Sequence, residues 1–426
     1  MKILIDGLNF ELQRGTGIKT YTRSVLAALH GSGYAIDILS QQSMPKVSHV
    51  SPLDAYLAST MQFASKANGR KKIRDRLIQH LSLFGRSFKG DIDLQTSQGK
   101  ELLSRYQCKE WSYVNRLRVA PGLFLRSFTR AGLGLGISNV SGCSDDEVLF
   151  LSSPIPVRLR GRMNILTVHD VIPLSHPWLM DRWSTIAKAV GKTLEYTLET
   201  ADKVICVSET TKKELLNRFH VDERKLHVVY QPCRYSLMPE VDDGECDQAS
   251  LEALGLANQP YILFVGAIEP KKNLFNVLKA IQQNKSLPRL VVVGQFAWSS
   301  DRERALMAKL KGRVQHLGYL PDRELELVLN NASAFVFPSI IEGFGLPALE
   351  AMWKGVPCVL SDIPVFRELF AGHAQFVDYH DPKSISDGIE QAMRHSATQI
   401  EAAMNHVRGH FSLTKFQKEL INVIDQ

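Results

Sequence analysis

The sequence predicts an α/β protein built as two doubly wound, Rossmann-like domains with a cleft between them. Three observations predict it. Short apolar runs that end in polar or glycine residues recur along the chain, and most are followed by a helical pattern. Two such units, near each end of the chain, carry glycines in the strand-to-helix loop. The length, 426 residues, suffices for two domains of ordinary size. Hydrophobic residues make up 44% and charged residues 22%, which fits a globular chain and excludes a disordered one.

The first domain is expected over residues 1–235. Lys2-Ile-Leu-Ile is a short strand that stops at Asp6-Gly7. Arg14-Gly-Thr-Gly-Ile-Lys-Thr-Tyr is the loop after it, and Tyr21, Val25, Leu26 and Leu29 mark the apolar face of the next helix. Residues 43–150 read as a basic helical insertion. Between 60 and 130 there are fifteen Lys and Arg against five Asp and Glu, while the whole chain carries a net +7. Leu77, Leu81, Phe84, Phe88, Trp111, Tyr113, Phe124 and Phe128 lie among these charges, with helical spacing over 70–86 and 120–131. Such a stretch suits peripheral contact with an anionic membrane surface. It equally suits helices with a solvated basic face, and no motif points to nucleic acid. Strands return at Val148-Leu-Phe-Leu and Asn164-Ile-Leu-Thr-Val, the latter ending at His169-Asp170. A helix over 181–200, a strand from Lys203, a helix N-capped by Ser208 and a last strand at Leu226 complete the domain. Residues from Pro232 to about Ala249 read as the linker.

The second domain, 236–408, opens with the strand Tyr261-Ile-Leu-Phe-Val, and a loop with Lys271 and Lys272 leads to a helix from Asn273. Strands at Leu290, His316 and Ala334-Phe-Val-Phe follow. Helices close the domain, and the last, 409–426, is expected to cross back to the first domain. Six cysteines without paired spacing argue against a zinc site or disulfide framework and for a reducing compartment. The apolar start is too short for a signal peptide, and no apolar run reaches membrane-spanning length. The expected location is therefore cytoplasmic, peripheral at the inner face of the cell membrane.

The chemistry concentrates between Pro338 and Gly355. Pro338 ends a buried strand, and Pro347 suits the first turn of a helix because its missing N–H would be unbonded there. Gly355 and Pro357 stop that helix. Free N–H groups and the dipole at such a helix start suit phosphate. Glu342 stands in the loop, and Glu350 is expected in the first helical turn. A carboxylate beside phosphate needs another partner, which vicinal sugar hydroxyls supply. A nucleotide sugar satisfies both demands.

Glu342-Gly-Phe-Gly-Leu-Pro-Ala-Leu-Glu350-Ala-Met-x-x-Gly-x-Pro resembles the Glu-x7-Glu signature of the retaining family 4 glycosyltransferases, which have the GT-B fold. Weaker similarity extends over most of the chain except residues 43–150. The resemblance implies a metal-independent hexosyltransferase without a cofactor. It acts by front-face substitution, with a nucleotide-diphosphate sugar as donor and a glycan or lipid-linked glycan as acceptor. It implies that Glu342 faces the transferred sugar and Glu350 binds the ribose. Gly343, Phe344, Gly345 and Leu346 line the donor, Lys272 binds phosphate, and Tyr319 lies beside the base. His169, with Asp170 on the acceptor side, falls where a family histidine approaches the transferred sugar; a lone His is otherwise structural. Gly17 matches the Gly-rich acceptor-side loop. Lys19 replaces a second glycine there, as a contact to phosphate or an anionic acceptor, or as a solvated charge. An Arg usual after the strand glycine is Ala267 here, a departure from the family's two-cation clamp; Lys271 or Lys19 can supply the second charge. The loop Glu-Pro-Lys-Lys-Asn and His-Asp-Val-Ile-Pro resemble the mannosyl- and rhamnosyltransferases of surface polysaccharide assembly, which implies GDP-mannose. The alternatives are a catalytically silent sugar-nucleotide-binding assembly protein, or another GT-B enzyme such as an epimerase or phosphorylase.

Overall fold

The computed structural model describes residues 1–10, 17–40, 90–93, 109–120, 122–140, 142, 144, 146–179, 183–237, 244–257, 259–297 and 300–426. Among the described residues the first half holds ten strands: β1 (Lys2–Asp6), β2 (Ala35–Ser40), β3 (Gly90–Asp93), β4 (Arg116–Val119), β5 (Ser138–Val140), β6 (Glu147–Leu151), β7 (Val157–Leu159), β8 (Met163–Val168), β9 (Lys203–Cys206) and β10 (Leu226–Val228). Eight of them form one sheet, ordered β10-β9-β8-β6-β1-β2-β4-β3 and parallel apart from the β3–β4 pair. Among the described residues the helices of this half are α1 (Gly17–His30), α2 (Leu123–Gly132), α3 (Ile172–Ser175), α4 (Trp183–Thr200) and α5 (Glu209–Arg218).

The second half holds β11 (Tyr261–Val265), β12 (Arg289–Val293), β13 (Val314–Gly318), β14 (Ala334–Phe337), β15 (Cys358–Ser361) and β16 (Gln375–Val377). They form a parallel sheet ordered β13-β12-β11-β14-β15-β16. Its helices are α6 (Gly244–Ala253), α7 (Leu274–Gln283), α8 (Asp301–Lys309), α9 (Asp322–Asn330), α10 (Leu346–Trp353), α11 (Pro364–Phe370), α12 (Pro382–Ala392) and α13 (Ala397–His410), followed by α14 (Leu413–Asp425). β15 and β16 were not anticipated. Both are short, and β16 has a single fully buried residue, so it offered little apolar run.

Each sheet is buried on both faces, as parallel sheets require. In β1, Ile3 and Ile5 enter the core beneath α1, while Leu4 enters the core on the other face. α14 lies on the first sheet: its Phe416, Leu420, Val423 and Ile424 pack with Val25 and Leu29 of α1. Gln417 donates to the Ala28 carbonyl at 2.8 Å, and Lys203 donates to the Val423 carbonyl at 2.7 Å. The chain thus passes between the halves twice, and the two crossings touch where the Cys233 amide donates to the Phe411 carbonyl.

Two sequence expectations are corrected. Residues 43–150 are not simply a helical insertion, because β3, β4, β5 and the start of β6 lie within them. Their signal was obscured by charge: Arg118 of β4 is fully buried between Asp37 and Glu147, at 3.0 and 2.6 Å. Trp111 and Phe124 likewise serve the core, so part of the basic-aromatic pattern is internal structure. The apolar positions expected over 70–86 lie outside the described residues. The linker is also less irregular than expected, since Arg234–Leu237 form a 3-10 turn and α6 begins at Gly244. Among the described residues no helix is long and apolar enough to cross a membrane.

Candidate active site

In open parallel sheets, ligands bind beyond the carboxyl ends of strands where the strand order reverses. In the first sheet that point is β1, flanked by β2 and β6; in the second it is β11, flanked by β12 and β14. Beside these points, the loops that follow β8 and β14 meet. An ideal Cβ on Gly343, after β14, would lie 2.0 Å from the His169 carbonyl oxygen, after β8. Any other residue at 343 would push the halves apart. Ser208, which caps α5, also donates to the Gly343 carbonyl at 2.9 Å. Glu368 of α11 reaches across as well and accepts from the Glu209 and Thr210 amides at 2.7 and 2.8 Å. A carboxylate at a helix N-terminus satisfies otherwise orphaned N–H groups and the dipole.

Glu342 precedes this contact. Its carboxylate accepts from Lys272 Nζ at 2.5 Å, and that ammonium also stands 4.7 Å from the Phe337 ring centroid. Burial alone would raise the Glu342 pKa, but Lys272 and Lys271 outweigh it and hold it below the ordinary glutamate value. Burial opposes the Lys271 charge too, yet Glu342, Glu269 and Asp170 around it raise its pKa. The structure therefore brings Glu342, Lys271, Lys272 and Asp170 into one electrostatic group. The Lys271 carbonyl accepts from the Ile340 amide at 2.8 Å, tying the two loops together. Asn273 completes the tie. It is the only non-glycine residue with positive φ among the described residues, at 56°, a conformation Asn tolerates. Its amide donates to the Pro338 and Tyr379 carbonyls at 3.0 and 2.7 Å. The sequence reading took Asn273 only as a helix start.

The loop is locked from both sides. Phe344 is buried against Tyr230 and Phe411. Gly345 has φ 102° and abuts Phe366, where a Cβ would come within 2.5 Å. α10 then starts at Leu346 with Pro347 in its first turn. Gly17, the first residue of α1, faces Leu346: a Cβ there would be 3.4 Å from Leu346 Cδ1. The rest of that glycine loop, 11–16, lies outside the described residues. Lys19 is half-buried in the first turn of α1, and Tyr319, after β13, is 51% exposed.

Glu350 departs from expectation. It is the fifth residue of α10 and so lies in the second turn, because the helix begins at Leu346. It does not join Lys272. Its carboxylate faces Arg234 Nε at 3.2 Å, with each side chain 12% exposed. Burial raises the Glu350 pKa above the ordinary range, against the pull of Arg234. Burial works against the Arg234 charge, but Glu350, Tyr235 and Asp322 outweigh it. Arg234 also donates to Asp322 at 3.0 Å and to the Tyr235 hydroxyl at 3.0 Å. Arg23 of α1 approaches Asp322 at 3.9 Å. Sequence reasoning missed Arg234, since it stood in a stretch read as linker.

On the other wall, His169 Nε2 lies 2.8 Å from the Ser152 carbonyl. A carbonyl only accepts, so Nε2 carries the proton and Nδ1 is left with its lone pair in the neutral ring. Burial lowers the His169 pKa, which favours that neutral form. Tyr21 supports the ring edge-on at 4.9 Å and bonds Thr167 at 3.1 Å. Asp6, at the end of β1, accepts from the Ser152 amide, and burial raises its pKa to about 6.

Two facing Rossmann-like sheets, with cations and a carboxylate where the two domains meet, define a GT-B glycosyltransferase architecture. Residues 147–233 match the model described as Glycosyltransferase Family 4, and residues 248–406 match Glycosyl transferases group 1. Both halves of the chain thus match glycosyltransferase families, family 4 in the first and group 1 in the second. It is 30% identical over 240 residues to O-antigen chain mannosyltransferase B of Escherichia coli, covering 54% of this chain and 61% of that one. It is also 30% identical over 232 residues to O-antigen chain mannosyltransferase RfbU of Salmonella typhimurium, covering 54% and 60%. The alignment thus spans less than two thirds of either relative. Among solved structures, the Anabaena Alr3699/HepE complex with UDP and glucose superposes with a TM-score of 0.62 at 14% identity, covering 100% of this chain and 99% of that one. Sucrose-phosphate synthase from Thermosynechococcus elongatus gives 0.65 at 15% identity, covering 100% and 98%. At these identities the structural likeness concerns the fold.

Proposed function

We propose that the protein is a retaining hexosyltransferase that moves a sugar from a nucleotide-diphosphate donor, GDP-mannose, to a glycan or lipid-linked glycan in surface polysaccharide assembly. The observation that carries this reading is the half-buried group of Glu342, Lys271 and Lys272 where the two domains meet. Two ammonium groups suit a departing diphosphate, and a held carboxylate suits the hydroxyls of the transferred sugar. Lys271 stands in for the arginine absent at Ala267. Glu350 is the ribose carboxylate, and Tyr319 borders the base. The acceptor hydroxyl attacks on the face the diphosphate leaves, and the departing phosphate takes its proton. Positioning and charge stabilisation then supply the rate. The donor sugar is suggested by the two mannosyltransferase relatives and by the loop resemblance.

A thermal-shift panel of GDP, UDP, dTDP and ADP sugars, followed by donor-hydrolysis assays, tests this. GDP-mannose should stabilise the protein most and be slowly hydrolysed. A clear preference for UDP sugars would overturn the donor assignment. Saturable binding without turnover of any donor, with or without glycan acceptors, would favour the silent binding protein. Peripheral membrane contact through the basic region is part of the proposal. Cosedimentation should show salt-sensitive binding to vesicles containing acidic lipid and weak binding to neutral ones.

A further inference from the structure

A pocket of about 310 Å³ opens at the domain boundary beside Glu342 and Gly343. Its described lining shares Glu342 and Gly343 with the proposed donor site but includes neither lysine of that site, nor Glu350, nor Gly17. Four carboxylates reach it, from Asp170, Glu214, Glu342 and Asp362, and no lysine or arginine lines it among the described residues. Arg218 and Arg367 pair with Glu214 and Asp362 at 3.1 and 2.6 Å without themselves lining it. Isoleucine, valine and proline side chains make up much of the remaining wall. An anion inside it would meet carboxylate oxygens directly and no lining cation among the described residues. A pyranose ring matches both features: its hydroxyls donate to carboxylates, and its C–H faces lie against apolar walls.

His176 lines this pocket, and its ring lies 5.0 Å from the ring of Trp178. Trp178 is 65% exposed, the most exposed large hydrophobic side chain among those described. An indole face beside a carboxylate-lined pocket offers a flat apolar platform to a second sugar ring.

We propose that this pocket and Trp178 form the acceptor subsite, binding a neutral glycan with one ring inside and the next against the indole. The inference rests on the transferase reading, because Glu342 is where pocket and donor site meet. Intrinsic fluorescence of the full chain, titrated with methyl α-mannoside, methyl α-glucoside, methyl α-galactoside and α-mannobiose, tests it. At least one should give a saturable change by about 100 mM, well above a millimolar dissociation constant. Trp178→Ala should weaken that binding about tenfold, the scale of one aromatic contact. Binding by Trp178→Ala is read by calorimetry, since the reporter is removed. Glu214→Gln should weaken it too, and donor hydrolysis without acceptor should be unchanged in Trp178→Ala. No saturable response to any glycoside, or full affinity in both variants, overturns the proposal. A response of Trp178 to phosphatidylcholine vesicles but to no glycoside also overturns it and makes the indole a lipid contact. Loss of the transferase reading is seen separately, as absent donor hydrolysis in a protein that still binds glycosides.

Discussion

Replacing Arg234 by Met keeps an apolar stem but leaves Glu350 buried without its cation. At the observed 3.2 Å, unit charges attract by about 5 kcal/mol at an effective dielectric of about 20. Solvent reaches 12% of each side chain, which reduces this. A value of about 3 kcal/mol is the lower end for breaking a buried pair. The Glu350 pKa is already raised, and loss of the cation should raise it further. The groups that face it are Arg234, with Asp322 adding like charge. The sign follows directly. Ribose held by a carboxylate is held above the folded pKa and released as pH falls through it, so the variant should lose nucleotide affinity at a higher pH than the parent. The stability cost should run the same way, fading as pH falls and Glu350 takes up its proton in both proteins, and growing as pH rises. Calorimetric titration of GDP from pH 5.5 to 8.5, always variant against parent, cancels the titration of the nucleotide itself. Arg234→Lys should recover part of the affinity through its point charge. Identical affinity and pH profile in parent and Arg234→Met would refute the argument, because Glu350 would then be indifferent to the cation beside it.

Four further outcomes are expected. Glu342→Gln should lower transfer by at least about 10²-fold, the scale of one preorganised electrostatic contact, while GDP still binds; normal turnover would remove Glu342 from the reaction. Gly343→Ala should lower kcat about 10²-fold by displacing the loop from His169, with the melting temperature measured alongside to separate misfolding from misplacement. Asp6→Asn should stabilise the fold by about 2–3 kcal/mol at pH 7.5 and by little near pH 4, since a carboxyl raised to about 6 from 3.8 costs stability only above its unfolded pKa; equal gains at both pH values would refute the burial cost. Glu368→Ala should release about 1–3 kcal/mol of interdomain contact, read as faster hydrogen exchange at Glu209 and Thr210, and unchanged exchange would show that the cap carries no weight.

What the sequence made legible follows local pattern. β1, β11 and β14 are apolar runs bounded by glycine or proline, and α1 and α7 bury the faces that their spacing marks. Glu342, Lys272 and the glycines between 342 and 346 were legible because one loop carries most of their geometry. Arg234 was not, because its meaning depends on Glu350 and Asp322, which arrive from two distant helices. β4 was hidden because Arg118, an ordinarily exposed residue type, is neutralised by carboxylates on two other strands. Trp178 and its neighbouring pocket need both domains in place, and no single segment announces them.

The seat of α14 bears on how this protein is made. The first sheet has its strands by Val228, yet Phe416, Leu420, Val423 and Ile424 fill the core on one of its faces. A ribosome emitting the chain releases the first domain with that apolar face uncovered until the second domain has been synthesised. Domains generally fold as units in order of synthesis, and exposed apolar surface invites aggregation meanwhile. Here the second domain can finish first, and the first closes only when α14 emerges. Production of active protein should therefore depend on chaperone capacity and elongation rate more than the size of either domain suggests.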